Sequence, residues 1–375
     1  MSVTSENALD ALIFHKKTPL YVYHLSHLRK RIAQLRSAFD IPQFSLLFAT
    51  MANDRPEVLK AIAQEGVGAC VNSILHLDLA LAMGFPQNLI QFTSTGIPPN
   101  DVYTLKERRI AVNLDSPCQV AQWCSLTGGG KVGLRVNAAS LLGAQRTDRI
   151  GMDVVDLLVA RREASSCGGV INGLHVYVGT NFQSADEMLP TLRAFFNMAL
   201  SIPELEYVNI GGGVGVDYTR IGDQFNLLKF GSEVSKLTRR LAERMGRDVT
   251  LFFEPGRSLV ASSGAFFTRV TDIKRLSGTT YVTVDASIAI FPRPFHHPDS
   301  PHRVQAVGRA HETKSLEEVT IVGRTTFSRD ILAQCKLPST IELGDLLVFE
   351  DAGAYCQSMI SQFLGQGEPP YLIID

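Results

Sequence analysis

The strongest constraint on the fold of this 375-residue chain is a repeated alternation of short apolar runs with stretches of helical periodicity. The first run, residues 44–53 (FSLLFATMAN), ends abruptly in small and polar residues, and Pro56 then opens a helix. Further strand predictions follow in the same rhythm, and the eighth covers residues 249–253. Such alternation predicts a parallel sheet, and eight units predict a closed (β/α)8 barrel of the TIM type.

The predicted secondary structure changes after Arg257. From there on, β-rich segments follow one another and few stretches have helical periodicity. The length of the chain also favours two domains. We therefore predict an α/β fold with a barrel domain over residues 24–257. Residues 1–23 and 258–375 are predicted to form an all-β domain, which includes the short strand 20–23.

Composition argues against several classes of protein. The formal net charge is −1, so the chain has no electrostatic footprint of a nucleic-acid-binding protein. No apolar run is long enough to span a bilayer, and the N-terminus lacks the order of a signal peptide. We expect a cytoplasmic protein with neither a membrane nor a nucleic-acid partner.

Cysteines and histidines give no metal-binding pattern. The six cysteines lack a CxxC pair, and the neighbouring His296 and His297 have no third ligand spaced nearby. We therefore predict reduced thiols, an exposed histidine loop and no metal site.

Two glycine-containing motifs point to a phosphorylated ligand. Residues 209–215 (NIGGGVG) follow a predicted strand, and consecutive glycines leave backbone N–H groups open to a phosphate. A tight turn is the alternative for the glycines taken alone. Residues 254–257 (EPGR) follow the next strand and add a carboxylate and a guanidinium, whose forked donors suit a phosphate dianion. Loops of this kind after neighbouring strands are typical of the phosphate site of such barrels.

These motifs carry a family resemblance. With EPGR after GGG, GLHVYVGT one strand earlier and DAGAY near the C-terminus, the chain resembles the fold type III pyridoxal-phosphate decarboxylases of ornithine, diaminopimelate and arginine. The resemblance runs from residue 20 to residue 374. It implies a barrel with a C-terminal all-β domain, pyridoxal 5′-phosphate as cofactor, an amino-acid substrate and a homodimer with shared active sites. The segments GRTTFSRDILAQCKLP and SQFLGQGEPP look most like the branch that serves siderophore and carrier-protein-linked pathways.

The resemblance also implies roles for individual residues. Glu254 would pair with the pyridine nitrogen and keep it protonated, which makes the ring an electron sink. Tyr177 takes the place of a ring-stacking histidine, and a phenol ring can still stack. Arg293 would meet a substrate carboxylate, and Asp330 a distal amine. The residues implied to hold the phosphate are Thr180, Gly213, Gly256, Arg257 and Tyr355.

Two positions depart from the family pattern. Where the family reads Tyr-Ala-x-Lys-Ala-Asn, residues 48–53 read FATMAN, so Met51 replaces the lysine that forms the Schiff base. A thioether cannot form an imine, and the cofactor would be held only non-covalently. In a segment from the opposite subunit, Thr326 replaces the catalytic cysteine and Phe327 replaces its acidic neighbour.

Three hypotheses follow. The first is a pyridoxal-phosphate-dependent decarboxylase of a basic or diaminopimelate-like amino acid. The second is a catalytically degenerate homologue that keeps the cofactor pocket. The third is an unrelated phosphate-binding barrel enzyme such as a phosphosugar isomerase, against which the β domain and the GAY motif count. Core packing is the alternative role for Tyr177, Tyr355 and Met51, and a cap or loop carboxylate for Asp330.

Overall fold

The computed structural model describes residues 17–144, 149–222, 224–309 and 315–375. The chain divides into two compact units. The barrel unit comprises residues 29–216 and 224–259, and the β unit comprises the described residues within 1–28, 217–223 and 260–375. Residues 217–222 thus differ from the predicted division, which placed them in the barrel. Arg220 explains this, because its guanidinium pairs with Glu350 at 3.2 Å and with Asp351 at 3.3 Å inside the β unit.

The barrel unit contains a closed sheet of eight parallel strands, so the predicted (β/α)8 barrel is confirmed. The strands pair in chain order, and the first closes against the last. They are β2 (Phe44–Ala49), β3 (Gly68–Val71), β4 (Ile90–Thr93), β5 (Ala111–Leu114), β6 (Lys131–Asn137), β7 (Val170–Tyr177), β8 (Tyr207–Asn209) and β9 (Thr250–Phe253). β1 (Leu20–His24) precedes them and belongs to the β unit.

Helices follow most of the barrel strands, and several begin at a serine N-cap. The side chain of Ser116 accepts from the backbone of Gln119, and Ser184 forms a capping box with Glu187. The described helices are α1 (Leu25–Ser37), α2 (Pro56–Gln64), α3 (Ile74–Ala82), α4 (Pro99–Glu107), α5 (Pro117–Thr127), α6 (Ala138–Leu141), α7 (Asp156–Ser166), α8 (Ala185–Ala199), α9 (Leu227–Met245), α10 (Arg257–Val260) and α11 (Arg293–His296). Short 3₁₀ turns cover Thr50–Ala52, Gln87–Leu89, Ala261–Ser263, Gln357–Met359 and Phe363–Gly365.

Tyr207 fills the interior of the barrel between two glycines. A Cβ atom on Gly173 would lie 1.9 Å from Cζ of Tyr207, and one on Gly133 would lie 2.2 Å from its hydroxyl. The hydroxyl donates to Oδ1 of Asn113 at 2.8 Å, which satisfies its polar group inside the barrel. The two glycines are therefore required by the close approach of this ring rather than by a turn.

The β unit is built on one sheet with the strand order β12-β15-β10-β11-β13-β14, which confirms the predicted all-β character. β1 pairs antiparallel with β10 and parallel with β16. Leu20, Val22, Phe267 and Leu346 form a buried apolar cluster across these strands. The strands are β10 (Gly264–Leu276), β11 (Thr279–Val284), β12 (Val304–Ala306), β13 (Leu316–Val322), β14 (Ile331–Pro338), β15 (Leu346–Phe349) and β16 (Tyr371–Ile374).

Two of the cysteines are joined in a disulfide. Cys124 in α5 is bonded to Cys167, the residue after α7, with 5.7 Å between their Cα atoms. The prediction that all cysteines are reduced is therefore wrong for this pair, because the fold brings together two residues that are 43 positions apart. Cys70, Cys118, Cys335 and Cys356 are free thiols.

No helix within the described residues is long and apolar enough to cross a membrane. In the same ranges, no group of three or more histidine, cysteine, aspartate or glutamate side chains could hold a metal ion.

Replacing Gly173 with alanine should destabilise the barrel, because the new methyl group would overlap Tyr207. Overpacking of this kind typically costs about 1–3 kcal/mol. Gly96 is the matched control, since nothing lies within 4 Å of a Cβ built there. Urea unfolding followed by circular dichroism measures both variants, and equal midpoints for Gly173→Ala and Gly96→Ala would contradict the packing described here.

Candidate active site

Three loops meet at the C-terminal ends of the neighbouring strands β7, β8 and β9. They are residues 177–180, 211–213 and 254–257. The backbone N–H of Glu254 donates to the carbonyl of Gly211 at 2.8 Å, and that of Phe182 donates to the carbonyl of Gly213 at 3.0 Å. The triglycine and EPGR loops are therefore direct neighbours.

The glycines bring these loops together backbone to backbone. A Cβ on Gly212 would lie 2.5 Å from the carbonyl oxygen of Glu254, and one on Gly213 would lie 2.6 Å from that of Gly179. Gly213 also has a φ of 106°, which side chains disfavour. Among the described residues, the backbone N–H groups of Gly212, Gly213 and Gly256 have no hydrogen-bond acceptor. Three unpaired donors on adjacent bare loops can bind an anion such as a phosphate.

Glu254 is a buried carboxylate with two donors. It is 8% exposed and accepts from Nδ2 of Asn209 at 2.7 Å and from Nε2 of His175 at 3.1 Å. Burial acts to raise the pKa of Glu254, but the contacts with His175 and Asn209 outweigh it, and the pKa lies below its ordinary value. Burial lowers the pKa of His175, although the charge of Glu254 opposes this shift, and Nε2 of the imidazole donates to the carboxylate. Nδ1 of His175 has no hydrogen-bond partner among the described residues.

Asn209 continues from Glu254 into a buried amide network, which we define as Asn209, Gln91, Asn113 and Tyr207. Nδ2 of Asn209 also donates to Oε1 of Gln91 at 2.8 Å, and Nδ2 of Asn113 donates to the same oxygen at 3.0 Å. Tyr207 completes the network through its bond to Asn113. All four residues are buried, so each of these polar groups depends on the others for its hydrogen bonds.

Tyr177 lies next to a cation. It is the last residue of β7 and half-buried, and the guanidinium carbon of Arg135 is 5.7 Å from its ring centroid. Arg135 also pairs with Asp115 at 3.4 Å. Burial raises the pKa of Asp115, although Arg135 opposes this shift. A ring beside a fixed charge offers a flat surface for a cofactor or substrate.

The other predicted residues of the barrel unit also follow strand ends. Met51 lies in the 3₁₀ turn directly after β2, and 47% of it is exposed, so it does not serve as core filler. Thr180 is exposed in the loop after β7. Gly256 and Arg257 are buried where α10 begins.

Within the β unit, Tyr355 and Thr326 lie in loops. Tyr355 is half-buried in the turn after β15 and has a φ of 56°. Thr326 is exposed between β13 and β14, beside the half-buried Phe327. Their predicted contacts with phosphate and substrate stay predictions.

Arg293 and Asp330 have structural partners in the β unit, although the sequence predicts substrate contacts for both. Arg293 is 1% exposed, donates through Nη1 to the carbonyl of Ser300 at 2.9 Å, and lies 3.5 Å from the ring centroid of Tyr218. Asp330 is buried, accepts from the backbone of Ile288 at 2.8 Å and from the hydroxyl of Thr325. Its contacts match the alternative role of a loop carboxylate.

His175, Asn209 and Arg135 are the site residues that motif reading misses. His175 and Tyr177 are two positions apart in β7 and therefore lie on the same face of the strand. This spacing is the only sequence signal for the histidine. Asn209 ends the buried strand β8, two positions before the triglycine segment, where a polar residue could have marked it. Arg135 similarly interrupts the apolar run of β6.

Comparison with known proteins agrees with this geometry. The family described as pyridoxal-dependent decarboxylase, pyridoxal binding domain, matches residues 25–261. A probable chloroplastic diaminopimelate decarboxylase of Oryza sativa subsp. japonica is 28% identical, over 96% of this chain and 76% of the relative. Diaminopimelate decarboxylase of Archaeoglobus fulgidus is 28% identical, over 93% of this chain and 86% of the relative. The crystal structure of diaminopimelate decarboxylase from Helicobacter pylori complexed with L-lysine superposes on this chain with a TM-score of 0.87 at 22% identity. The superposition covers 98% of this chain and 94% of the Helicobacter pylori chain, and it shows that the fold is shared.

The family match covers more than half of the chain and spans the whole barrel. It includes the triglycine loop and the buried Glu254, the two features that suit a phosphorylated pyridine. This chain belongs to the fold type III family of pyridoxal-phosphate-dependent amino-acid decarboxylases, and pyridoxal 5′-phosphate is its cofactor.

Proposed function

We propose that this protein decarboxylates a basic or diaminopimelate-like amino acid in the cytoplasm, as a homodimer with shared active sites, and that its pathway is linked to a carrier protein or a siderophore. The substrate class is supported by the names of its relatives, which are diaminopimelate decarboxylases. The single observation that carries the proposal is the buried carboxylate of Glu254 beside a loop of unpaired backbone N–H groups.

The residues of the barrel unit fit pyridoxal phosphate held without a covalent bond. Gly212, Gly213 and Gly256 offer free N–H groups for the phosphate, and Arg257 adds a cation after β9. Glu254 offers a charged carboxylate for the ring nitrogen. The chain has no lysine at position 51, so the aldehyde carbon has no amine partner there.

When bound, pyridoxal phosphate supplies an electron sink for the electron pair that remains when the carboxylate leaves as CO2. The protein's own part is to hold and orient. Glu254 would keep a proton at the ring nitrogen, and its bonds to His175 and Asn209 prevent the carboxylate from turning away. Tyr177, whose ring lies near the guanidinium of Arg135, would stack on the cofactor ring. Thr326 would hold the proton that replaces CO2, with a hydroxyl that is a weaker acid than a thiol.

Met51 changes how substrate and cofactor meet. A thioether neither exchanges an imine nor accepts a proton at neutral pH. The substrate amine must therefore reach the cofactor without the help of a lysine amine. The product amine must also leave without it. We propose that uptake of the substrate amine and release of the product amine, both without a lysine, limit turnover, while binding and orientation by the remaining residues are intact.

The two competing hypotheses receive less support. The curated relatives described above are decarboxylases, which gives no support to a degenerate homologue. The family match across the whole barrel counts against an unrelated phosphosugar isomerase.

Replacing Met51 with lysine should create a covalent cofactor site. After incubation with pyridoxal phosphate and reduction with borohydride, mass spectrometry should find the cofactor attached at position 51 in this variant and not in the wild type. CO2 release from lysine, ornithine or diaminopimelate should rise by at least about tenfold, since a covalent amine intermediate typically divides one difficult step into two.

The matched control is Leu75→Lys, which adds a lysine at an exposed apolar position of α3. It should retain no cofactor after reduction. Equal labelling of both variants would show that attachment is non-specific and would count against the assigned site.

Replacing Asn209 with leucine should shift the pH dependence of cofactor binding. The wild-type carboxylate of Glu254 stays charged down to an unusually low pH, because its pKa is lowered. Without the Asn209 donor its pKa should rise, so affinity for pyridoxal phosphate should be lost at a higher pH as the solution is acidified. Equilibrium dialysis between pH 4 and 8 measures this, with Asn100→Leu on the exposed surface of α4 as control. Identical profiles for all three proteins would refute the role of Asn209.

A further inference from the structure

A second cavity, of about 480 Å³, lies at the opposite end of the barrel strands from the candidate active site. Its lining includes Ala111, Lys131 and Tyr207, which are the first residues of β5, β6 and β8. The strands are parallel, so these residues mark their N-terminal ends. The triglycine and EPGR loops follow the C-terminal ends, and the cavity is therefore separate from the cofactor site.

The walls of this cavity are apolar and aromatic. Trp123 lies among Leu105, Ile110 and Val112 in the lining and is 4% exposed. Nε1 of Trp123 is buried and has no hydrogen-bond partner among the described residues. A buried donor without an acceptor is unfavourable, so a ligand that displaced the packing around Nε1 and supplied an acceptor would be stabilised here.

The mouth of the cavity is cationic. Lys106, Arg109 and Lys131 line it. Lys106 donates to the carbonyl of Gly129 at 2.8 Å, and Lys131 pairs with Glu206. The guanidinium of Arg109 has no hydrogen bond or ion pair within the part of the chain that the structure describes, and it is exposed. The three cations outnumber the one carboxylate, which favours an anionic ligand.

Tyr207 connects this cavity to the candidate active site. Tyr207 lines the cavity, and its hydroxyl starts the buried amide network that ends at Glu254. The ring is held between Gly133 and Gly173 without free space. A displacement of the ring would therefore also displace Asn113, to which the hydroxyl donates at 2.8 Å.

We propose that this cavity binds a small organic anion with a flat apolar body, of the aromatic carboxylate class, and that its occupancy changes cofactor affinity through Tyr207 and the amide network. The binding step stands independently of the proposed function. The transmission step rests on cofactor binding at Glu254.

Trp123 is the single tryptophan of the chain, so its fluorescence reports directly on this cavity. Titration with 4-iodobenzoate, whose iodine quenches indole emission, should give saturable quenching in the wild type. The neutral 4-iodobenzamide should bind at least about tenfold more weakly, because it lacks the negative charge that the exposed Arg109 would contact. Arg109→Gln should weaken benzoate binding to a similar degree, and Lys60→Gln, on the exposed face of α2 outside the lining, should not. Quenching that never saturates, or that is equal in all variants, would overturn the binding site.

The second measurement is the dissociation constant of pyridoxal phosphate with and without saturating 4-iodobenzoate. It should change at least about threefold in the wild type and not in Tyr207→Phe, which keeps the ring and loses the hydroxyl. An unchanged constant in the wild type would overturn the transmission step. If the cofactor fails to bind at all while quenching still saturates, the proposed function is refuted and the cavity ligand site stands.

Discussion

The hydrogen bonds from His175 and Asn209 to Glu254 are the interaction on which the candidate active site depends. A buried carboxylate is unfavourable unless donors compensate for the water that it has lost. Both donors come from neighbouring strands of the closed barrel, β7 and β8, and the carboxylate follows β9. Closure of the sheet thus determines the position of the charge, and the charge gives the cofactor ring a fixed partner. The triglycine loop approaches the same place because no side chain separates it from Glu254.

The interior of the barrel contains a continuous path of buried, hydrogen-bonded polar side chains. Gln91, Asn113 and Asn209 could be replaced by apolar residues of similar size if packing were all that mattered. Their hydrogen bonds instead join Glu254 to Tyr207 at the other end of the strands. Such a network is favourable only when each member is satisfied, which also makes it sensitive to change at either end. This sensitivity is the physical basis for coupling between the cofactor and the second cavity.

Local sequence patterns predict the barrel well, because the strands are short apolar runs and several helices begin at a serine cap or a proline. The strand predicted over residues 249–253 is found as Thr250–Phe253, and Pro56 begins a helix as predicted. The sequence also predicts which loops carry the phosphate motifs, since chain order determines neighbours in such a barrel. Contacts between distant residues have no comparable signal. The Cys124–Cys167 disulfide, the Arg220–Asp351 ion pair and the internal partners of Asp330 all depend on approaches that only the folded chain reveals.

Met51 separates two properties that the family normally combines, namely holding the cofactor and bonding to it. The central claim is that Glu254 keeps the ring nitrogen of non-covalently bound pyridoxal phosphate protonated. ¹⁵N NMR of the complex with ring-labelled cofactor tests this most directly. The wild type should show the chemical shift of a protonated ring nitrogen at pH 8, and Glu254→Gln should show that of a neutral one. A neutral ring nitrogen in the wild-type complex would contradict the account.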